Sequence, residues 1–593
     1  MKRMIMSGLA MGVLVGACAS DPSKIRAFSS DWQDDQGKSI AGVRARLRAA
    51  PALPTSNVVV SVVGQHKVIA TPLGEGATWS ATHPLESRPV LAGNVVVLFG
   101  GGKLTALEAS TGNALWSRAS SGGAMLGAGD DGVVTAISLE NKSGSTLLVV
   151  DRRGTVKHEF NVELHLGVPA VMGGVVFVPW GGQYVSAIDA STGDELGRVT
   201  LRDKVSRALA IGGEMYFGEL SLVRFDDAIA SASRSHANRL ALPPRELPGR
   251  PRWFSSGHER VPVAANASDE DRLFARPAKG HTPLGLDSER FYANYFRLAL
   301  GFDAARADLR WVHTHPSVIV GGDAVSGGLL LCDAEGKLSA LDGKTGKVTF
   351  ERSVGEPIRS CVVQADTFVA PAASSNANSL VEQLTEAVTF ADPTLASAQR
   401  LLLRELTTNA SDAVTKTLLD LAMNPRVATL VASDARAAIS SRRTGGSHMI
   451  EALGRRYDFL QDVLVSPPVG PIADALSEMK EPKAPALLAA QLFEPHLSDE
   501  DVRRGAAALR VLATAKETAQ LRAFFSMYRG TASTEESARA VGSVAEALLR
   551  LEPKAARALV EAAVNDAMTA PQVRELLEKA LQPKAAADAS SKP

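Results

Sequence analysis

A seven-residue run recurs three times and limits what this chain can fold into. It occupies residues 106–112, 187–193 and 340–346. Each copy carries an acidic residue (Glu108, Asp189, Asp342) and a Thr-Gly pair (Thr111-Gly112, Thr192-Gly193, Thr345-Gly346). Each lies between two short strand-like runs, such as the one before Trp116 and the one ending at Phe350. An acidic side chain followed by Thr-Gly suits a tight hairpin, because Gly accepts the positive φ such turns need. Weaker copies at Asp151, Asp226 and Asp303 complete a spacing of 37 to 43 residues, with one gap of 77 between Asp226 and Asp303. A period near 40 is that of a four-stranded propeller blade. Closing such sheets into a ring removes the sticky edges an open array would expose.

The expected fold class is multi-domain β plus α. A β-propeller occupies residues 56–373 and an α-solenoid of HEAT-like helix pairs occupies 374–593. Seven blades are expected, the first strands near Val58 and the last near Ile358 sharing one sheet. The 77-residue gap leaves eight blades open, but residues 231–280 are rich in Pro, Arg and Ser and read as a surface insertion. From residue 374 the pattern changes to Ala- and Leu-rich helical spacing, as at Leu380, Leu384 and Val388. Helix pairs of this kind bury their faces only by stacking. The two parts are expected to fold separately when cut near Ser375. Pro393 and Pro425 read as helix starts.

The N-terminus reads as a targeting segment rather than structure. Lys2 and Arg3 precede a short apolar stretch ending in Val15-Gly16-Ala17-Cys18. This resembles the lipobox of bacterial lipoproteins, so residues 1–18 are a signal peptide and Cys18 is the expected lipidation site. With Ala19 and Ser20 following, the resemblance implies the outer membrane of a Gram-negative envelope, the body facing the periplasm. Residues 19–55 then form a flexible tether with one short helix near Ile40 to Leu47. Lys plus Arg equals Asp plus Glu at 64 each, which argues against a nucleic-acid partner. Cys332 and Cys361 form a candidate disulfide in an oxidising compartment, the alternative being two buried thiols.

The repeated turn resembles that of the PQQ-like propeller superfamily. That group includes quinoprotein alcohol dehydrogenases and the non-enzymatic propeller lipoprotein of the outer-membrane β-barrel assembly machinery. The resemblance implies a structural repeat, with Trp116 packing between blades. The enzymes hold their quinone against a pair of adjacent cysteines, above a calcium ion. Cys332 and Cys361 are not adjacent, and no calcium ligand set stands out. No catalytic, cofactor-binding or metal-binding residue is therefore assigned, and no cofactor is expected. Gly100 to Lys103 and Gly343 to Thr345 fail as phosphate loops, since Val97 and Leu338 stand where the first Gly belongs. His313 and His315 share a strand face, but two imidazoles fall short of a metal site. Arg442-Arg443 and Arg503-Arg504 read as solvated faces. The expected function is a lipid-anchored, non-catalytic scaffold that binds proteins through propeller loops and the helical groove. The alternatives are a PQQ-dependent oxidoreductase or a small-ligand sensor using the propeller channel.

Overall fold

The structure is a computed structural model. It describes residues 27–28, 36–120, 124–201, 204–211, 213–218, 222–225, 281–286, 290–303, 308–365, 368–374, 378–455 and 466–582. Cys18, the expected signal peptide, Asp226, residues 231–280 and Ser375 lie outside them.

Short β-branched runs bounded by Gly and Pro become antiparallel meanders, as their alternation requires. Among the described residues they form seven sheets, six of four strands and one of three. In chain order they span 58–82 (with 360–364), 90–119, 124–162, 170–200, 207–224, 281–314 and 319–353. The innermost strands of successive sheets pack on one another, from Val90–Ala92 through Ala124–Asp130 and Ala170–Met172 to Arg207–Ile211. The sixth sheet packs on the seventh, and the seventh on strand Ser360–Gln364. Leu209 and Tyr216 of the fifth sheet pack against the cluster holding Ala293 and Leu298 of the sixth. The arrangement is propeller-like. The two ends of the strand region meet in the first sheet, where Ser360–Gln364 pairs antiparallel with Val58–Val63, Val60 opposite Val362.

The recurring turn serves two purposes. Within a sheet, Asp342 Oδ1 accepts hydrogen bonds from the backbone N–H groups of Lys344 (3.0 Å) and Thr345 (2.9 Å) and from the Thr345 hydroxyl (2.8 Å). Between sheets, Gly346, at φ +69°, lies beneath the Trp311 ring of the preceding sheet. A Cβ on Gly346 would stand 2.5 Å from Trp311 Cε3, closer than any real contact. The Trp311 indole also donates to the Gly343 carbonyl at 2.8 Å. The same staple joins Trp79 to Gly112 and Trp116 to Gly154, and His158 takes the aromatic place over Gly193. We therefore expect Gly346→Ala to cost about 3 kcal/mol, from left-handed backbone strain plus overpacking. Gly355→Ala, also at positive φ but with open space around it, should cost only about 1 kcal/mol. Urea midpoints of the two variants check this.

The C-terminal region holds twelve α-helices among the described residues. Alternate helices stack into two layers. One runs through Leu380–Thr389, Asp412–Met423, Gly446–Gly454, Ala484–Gln491 and Thr518–Tyr528. The other runs through Ala396–Thr407, Thr429–Ile439, Val469–Met479, Asp499–Leu512, Glu535–Leu551 and Pro571–Leu581. Small residues bring the second layer close: a Cβ on Gly470 would stand 2.4 Å from Asp501 Oδ1, and Ala506, Ala508, Ala540 and Ala547 are buried. Pro393 opens a 3-10 turn capped by Asp392, as expected. Pro425 instead lies in the turn after Asp412–Met423, and the next helix begins at Thr429.

The two regions share one core. A single apolar cluster runs from Leu298, Leu300, Phe302 and Val312 of the sixth sheet to Leu384, Val388 and on through the helices. Gln383 Oε1 accepts from the Val312 backbone N–H at 3.0 Å, and its Nε2 donates to the Thr345 carbonyl at 2.8 Å. An edge strand is thereby covered by a helix, which removes its unpaired groups from water. The expectation of separate folding did not foresee this join.

Residues 36–56 are bound rather than free. Helix Gln36–Arg48 packs on strand Glu195–Thr200, the outer edge of the fourth sheet. Val43 is 1% exposed within that sheet's cluster, and Arg46 donates to Asp189 at 2.6 Å. Pro54 lies against Gly93 and Gly132. The described part of the expected tether is a strap across three sheets.

Candidate functional site

Cys332 and Cys361 are bonded to each other, their Cα atoms 6.7 Å apart. Cys332 lies on strand Gly328–Asp333 of the seventh sheet and Cys361 on strand Ser360–Gln364 of the first, so the bond ties the seventh sheet to the first. Gly100 to Lys103 and Gly343 to Thr345 are hairpin turns, not phosphate cradles.

His313 and His315 do meet, and a carboxylate joins them. His313 Nε2 lies 3.3 Å from His315 Nδ1, and His315 Nε2 lies 3.0 Å from Asp333 Oδ2. Asp333 Oδ1 also accepts from the N–H groups of Glu335 and Lys337. Burial raises the Asp333 carboxyl, but the His315 bond and these N–H groups outweigh it and hold it below its usual range. No group of three His, Cys, Asp or Glu side chains among the described residues is arranged to hold a metal ion. Burial, and then the neighbouring His315, push His313 down to about 4.

A base lowered from 6.5 to about 4 stays neutral in the fold while the unfolded chain takes up a proton. Stability from this group is therefore complete above pH 6.5 and lost as pH falls toward 4. Relative to His313→Gln, the wild type should lose about 2 kcal/mol between pH 7 and 4.5. Urea titrations of both proteins at the two pH values test it, because the difference cancels groups common to both. That subtraction matters because Asp130 titrates in the same window with the opposite sign. Its buried carboxyl is pushed up to about 6 by desolvation, partly opposed by Arg152 and Thr135.

Asp130 and Arg152 form the second buried polar cluster. Arg152 Nη1 contacts both Asp130 oxygens (3.2 and 3.3 Å), the Thr135 hydroxyl donates at 2.7 Å, and Arg152 Nη2 reaches Asn94 of the second sheet. The cluster joins neighbouring sheets, like the Trp-Gly staples. In the helices, Arg442 corrects the expectation of a solvated face. It is 5% exposed and donates to the carbonyls of Thr407, Asn409 and Ser411 and to the Thr415 hydroxyl. Arg503 pairs with Glu536, and Arg504 with Asp474, bridging successive helices of one layer.

One arrangement went unread in the sequence. Phe28, 6% exposed, sits edge-on to Phe160 of the third sheet and to Trp180 of the fourth, both at 6.0 Å. Trp180 stacks on Tyr184 at 4.6 Å, donates to Ser186 at 2.8 Å and carries the Arg198 guanidinium 4.7 Å above its ring. Glu195 holds Arg198 by two bonds of 2.8 and 2.9 Å. A lone Phe in a polar stretch was the available signal.

Sheets, staples and helices together define a propeller-like protein with PQQ-like repeats and a helical C-terminal region. Residues 30–165 match the family described as outer membrane protein assembly factor BamB. No curated protein matches the chain. Among solved structures, BamB from Moraxella catarrhalis is 14% identical, the match covering 54% of this chain and 94% of that one, with a TM-score of 0.30. Apo AztD from Citrobacter koseri is 12% identical, with coverage of 53% and 98% and a TM-score of 0.32. Dihydro-heme d1 dehydrogenase NirN in complex with DHE is 12% identical, with coverage of 52% and 66% and a TM-score of 0.32. No helix among the described residues is long and apolar enough to cross a membrane.

Proposed function

We propose that the protein is a lipid-anchored, non-catalytic scaffold of the Gram-negative envelope, held at the outer membrane by Cys18 and facing the periplasm. Its partners are proteins of outer-membrane assembly or envelope maintenance. The carrying observation is the match of residues 30–165 to the BamB family. The motif residues support the same reading, because Asp342, Gly346 and Trp311 are spent on turns and staples. We read the body as a seven-bladed ring closed by strands from both chain ends, and the two helical layers as HEAT-like repeats whose faces serve as docking surfaces. No observation favours a PQQ-dependent oxidoreductase, whose adjacent cysteine pair this sequence lacks.

Labelled fatty acid should enter the wild type and not Cys18→Ser, and only the wild type should sediment with membranes. Equal labelling of both overturns the anchor. Crosslinking from native outer membranes should capture envelope proteins. Dye reduction after addition of quinone and calcium would overturn the non-catalytic reading.

A further inference from the structure

Nothing in the repeat says how the body faces the membrane that Cys18 would hold, but the strap does. Phe28 is clamped in the seam between the third and fourth sheets, its backbone at φ +67°, a conformation that non-Gly residues keep only where packing enforces it. The seat is rigid, since Trp180, Tyr184, Arg198 and Glu195 hold one another. Eight residues further on, helix Gln36–Arg48 begins, and it packs on the fourth sheet with Arg46 on Asp189. The chain is therefore fixed to this side of the ring at Phe28 and again from Gln36.

Ten residues separate Cys18 from Phe28, so the leash spans at most about 36 Å when fully extended. We propose that Phe28 acts as a second anchor point and that the rim formed by the third and fourth sheets is docked facing the lipid surface, with the seventh sheet turned away. This rests on the lipid-anchor reading above. Leu164, 37% exposed, lies on that rim two residues from Leu166, which shares the Phe28 cluster. The seventh sheet lies three sheets from this seam in either direction around the ring. A leash anchored at another rim would present that rim instead, and a free segment of 37 residues up to position 55 would leave the body without a preferred face.

The test uses the full lipidated chain on vesicles of phosphatidylethanolamine and phosphatidylglycerol carrying a nickel-chelating lipid. A nitroxide is placed through Leu164→Cys in one protein and Val369→Cys, beside the seventh sheet, in another. The nickel headgroups should relax the label at 164 severalfold more strongly than that at 369. An insertion of about 20 Gly/Ser residues after Ser20 raises the r.m.s. reach of the leash from about 17 Å to about 30 Å and should abolish the contrast without touching the body. Phe28→Ala should reduce it. Equal relaxation at both positions in a protein that carries the fatty acid overturns the docked rim alone. A chain that incorporates no fatty acid at Cys18 overturns both the anchor and the docking.

Discussion

Removing residues 358–369 is expected to abolish cooperative folding of the propeller-like body. The deletion takes away the closing strand Ser360–Gln364, its five paired positions with Val58–Val62, and the bond from Cys361 to Cys332. Ile358 and Val363, 4% and 5% exposed, lie between the first and seventh sheets, and Val362, 2% exposed, lies between the first and second. Burial of three such side chains contributes about 5–8 kcal/mol. Constraining a 29-residue separation adds about 3–4 kcal/mol in the chain-entropy account. The sum equals most of the 5–15 kcal/mol by which ordinary domains are stable. The deletion also leaves the backbone edge of Val58–Val63 unpaired, so the product should aggregate on heating. Reduction of the wild type, or Cys332→Ala with Cys361→Ala, should give the intermediate case, a lowered thermal midpoint with cooperativity kept. A deletion variant that melts cooperatively at the wild-type midpoint would show that the ring is not held at this seam.

The same seam shows why some of the molecule was readable in the sequence. Asp342 and Gly346 encode their turn locally, through side-chain acceptors and positive φ, so the motif recurs wherever the turn does. Trp116 and Trp311 carry the staple in the same register, but His158 fills that place in the third sheet and has no aromatic signature to match. The change to helical spacing near residue 374 was legible for the same local reason. What stayed hidden depends on partners far along the chain. Arg442 follows a helix in a Ser-Ser-Arg-Arg-Thr-Gly stretch that reads as solvent, yet the turn at Thr407 to Ser411 presents three carbonyls to it. Phe28 and Val43 lie in a segment of low mean apolarity, and only the third and fourth sheets give them a surface. Glu195 and Arg198 look like exposed strand residues, but Arg198 stacks on Trp180 and Glu195 pairs with Arg198, and both side chains are buried.

Cutting the chain in the segment 375–377 is expected to leave a propeller-like fragment markedly less stable than the intact protein. The boundary is sharp in sequence but not in packing. Helix Leu380–Thr389 covers the outer strand Leu309–Thr314 of the sixth sheet, and Val312, 3% exposed, belongs to the same cluster as Leu384 and Val388. Losing that cover returns Val312, and part of Leu309, to water at about 1.5–3 kcal/mol for each fully buried side chain. It also strips Gln383 from the Val312 N–H and the Thr345 carbonyl, and Phe390 from beneath the Arg297 guanidinium, 4.9 Å away. Each lost hydrogen bond costs about 1 kcal/mol. The total is about 4–7 kcal/mol, enough to lower the thermal midpoint by roughly 10 °C or more in a body of this size. Gln383→Ala in the intact chain removes only those two bonds and a 3.3 Å bond to the Asn378 carbonyl and should cost about 1–3 kcal/mol, which separates the polar link from the apolar cover. The helical fragment loses less, because its two layers bury most of their own faces and only Leu384 and its neighbours give up the sheet. Thermal melts of fragment 36–374, which keeps the strap, fragment 378–582 and the whole chain decide the matter. A propeller fragment as stable as the whole would mean that the two regions merely touch.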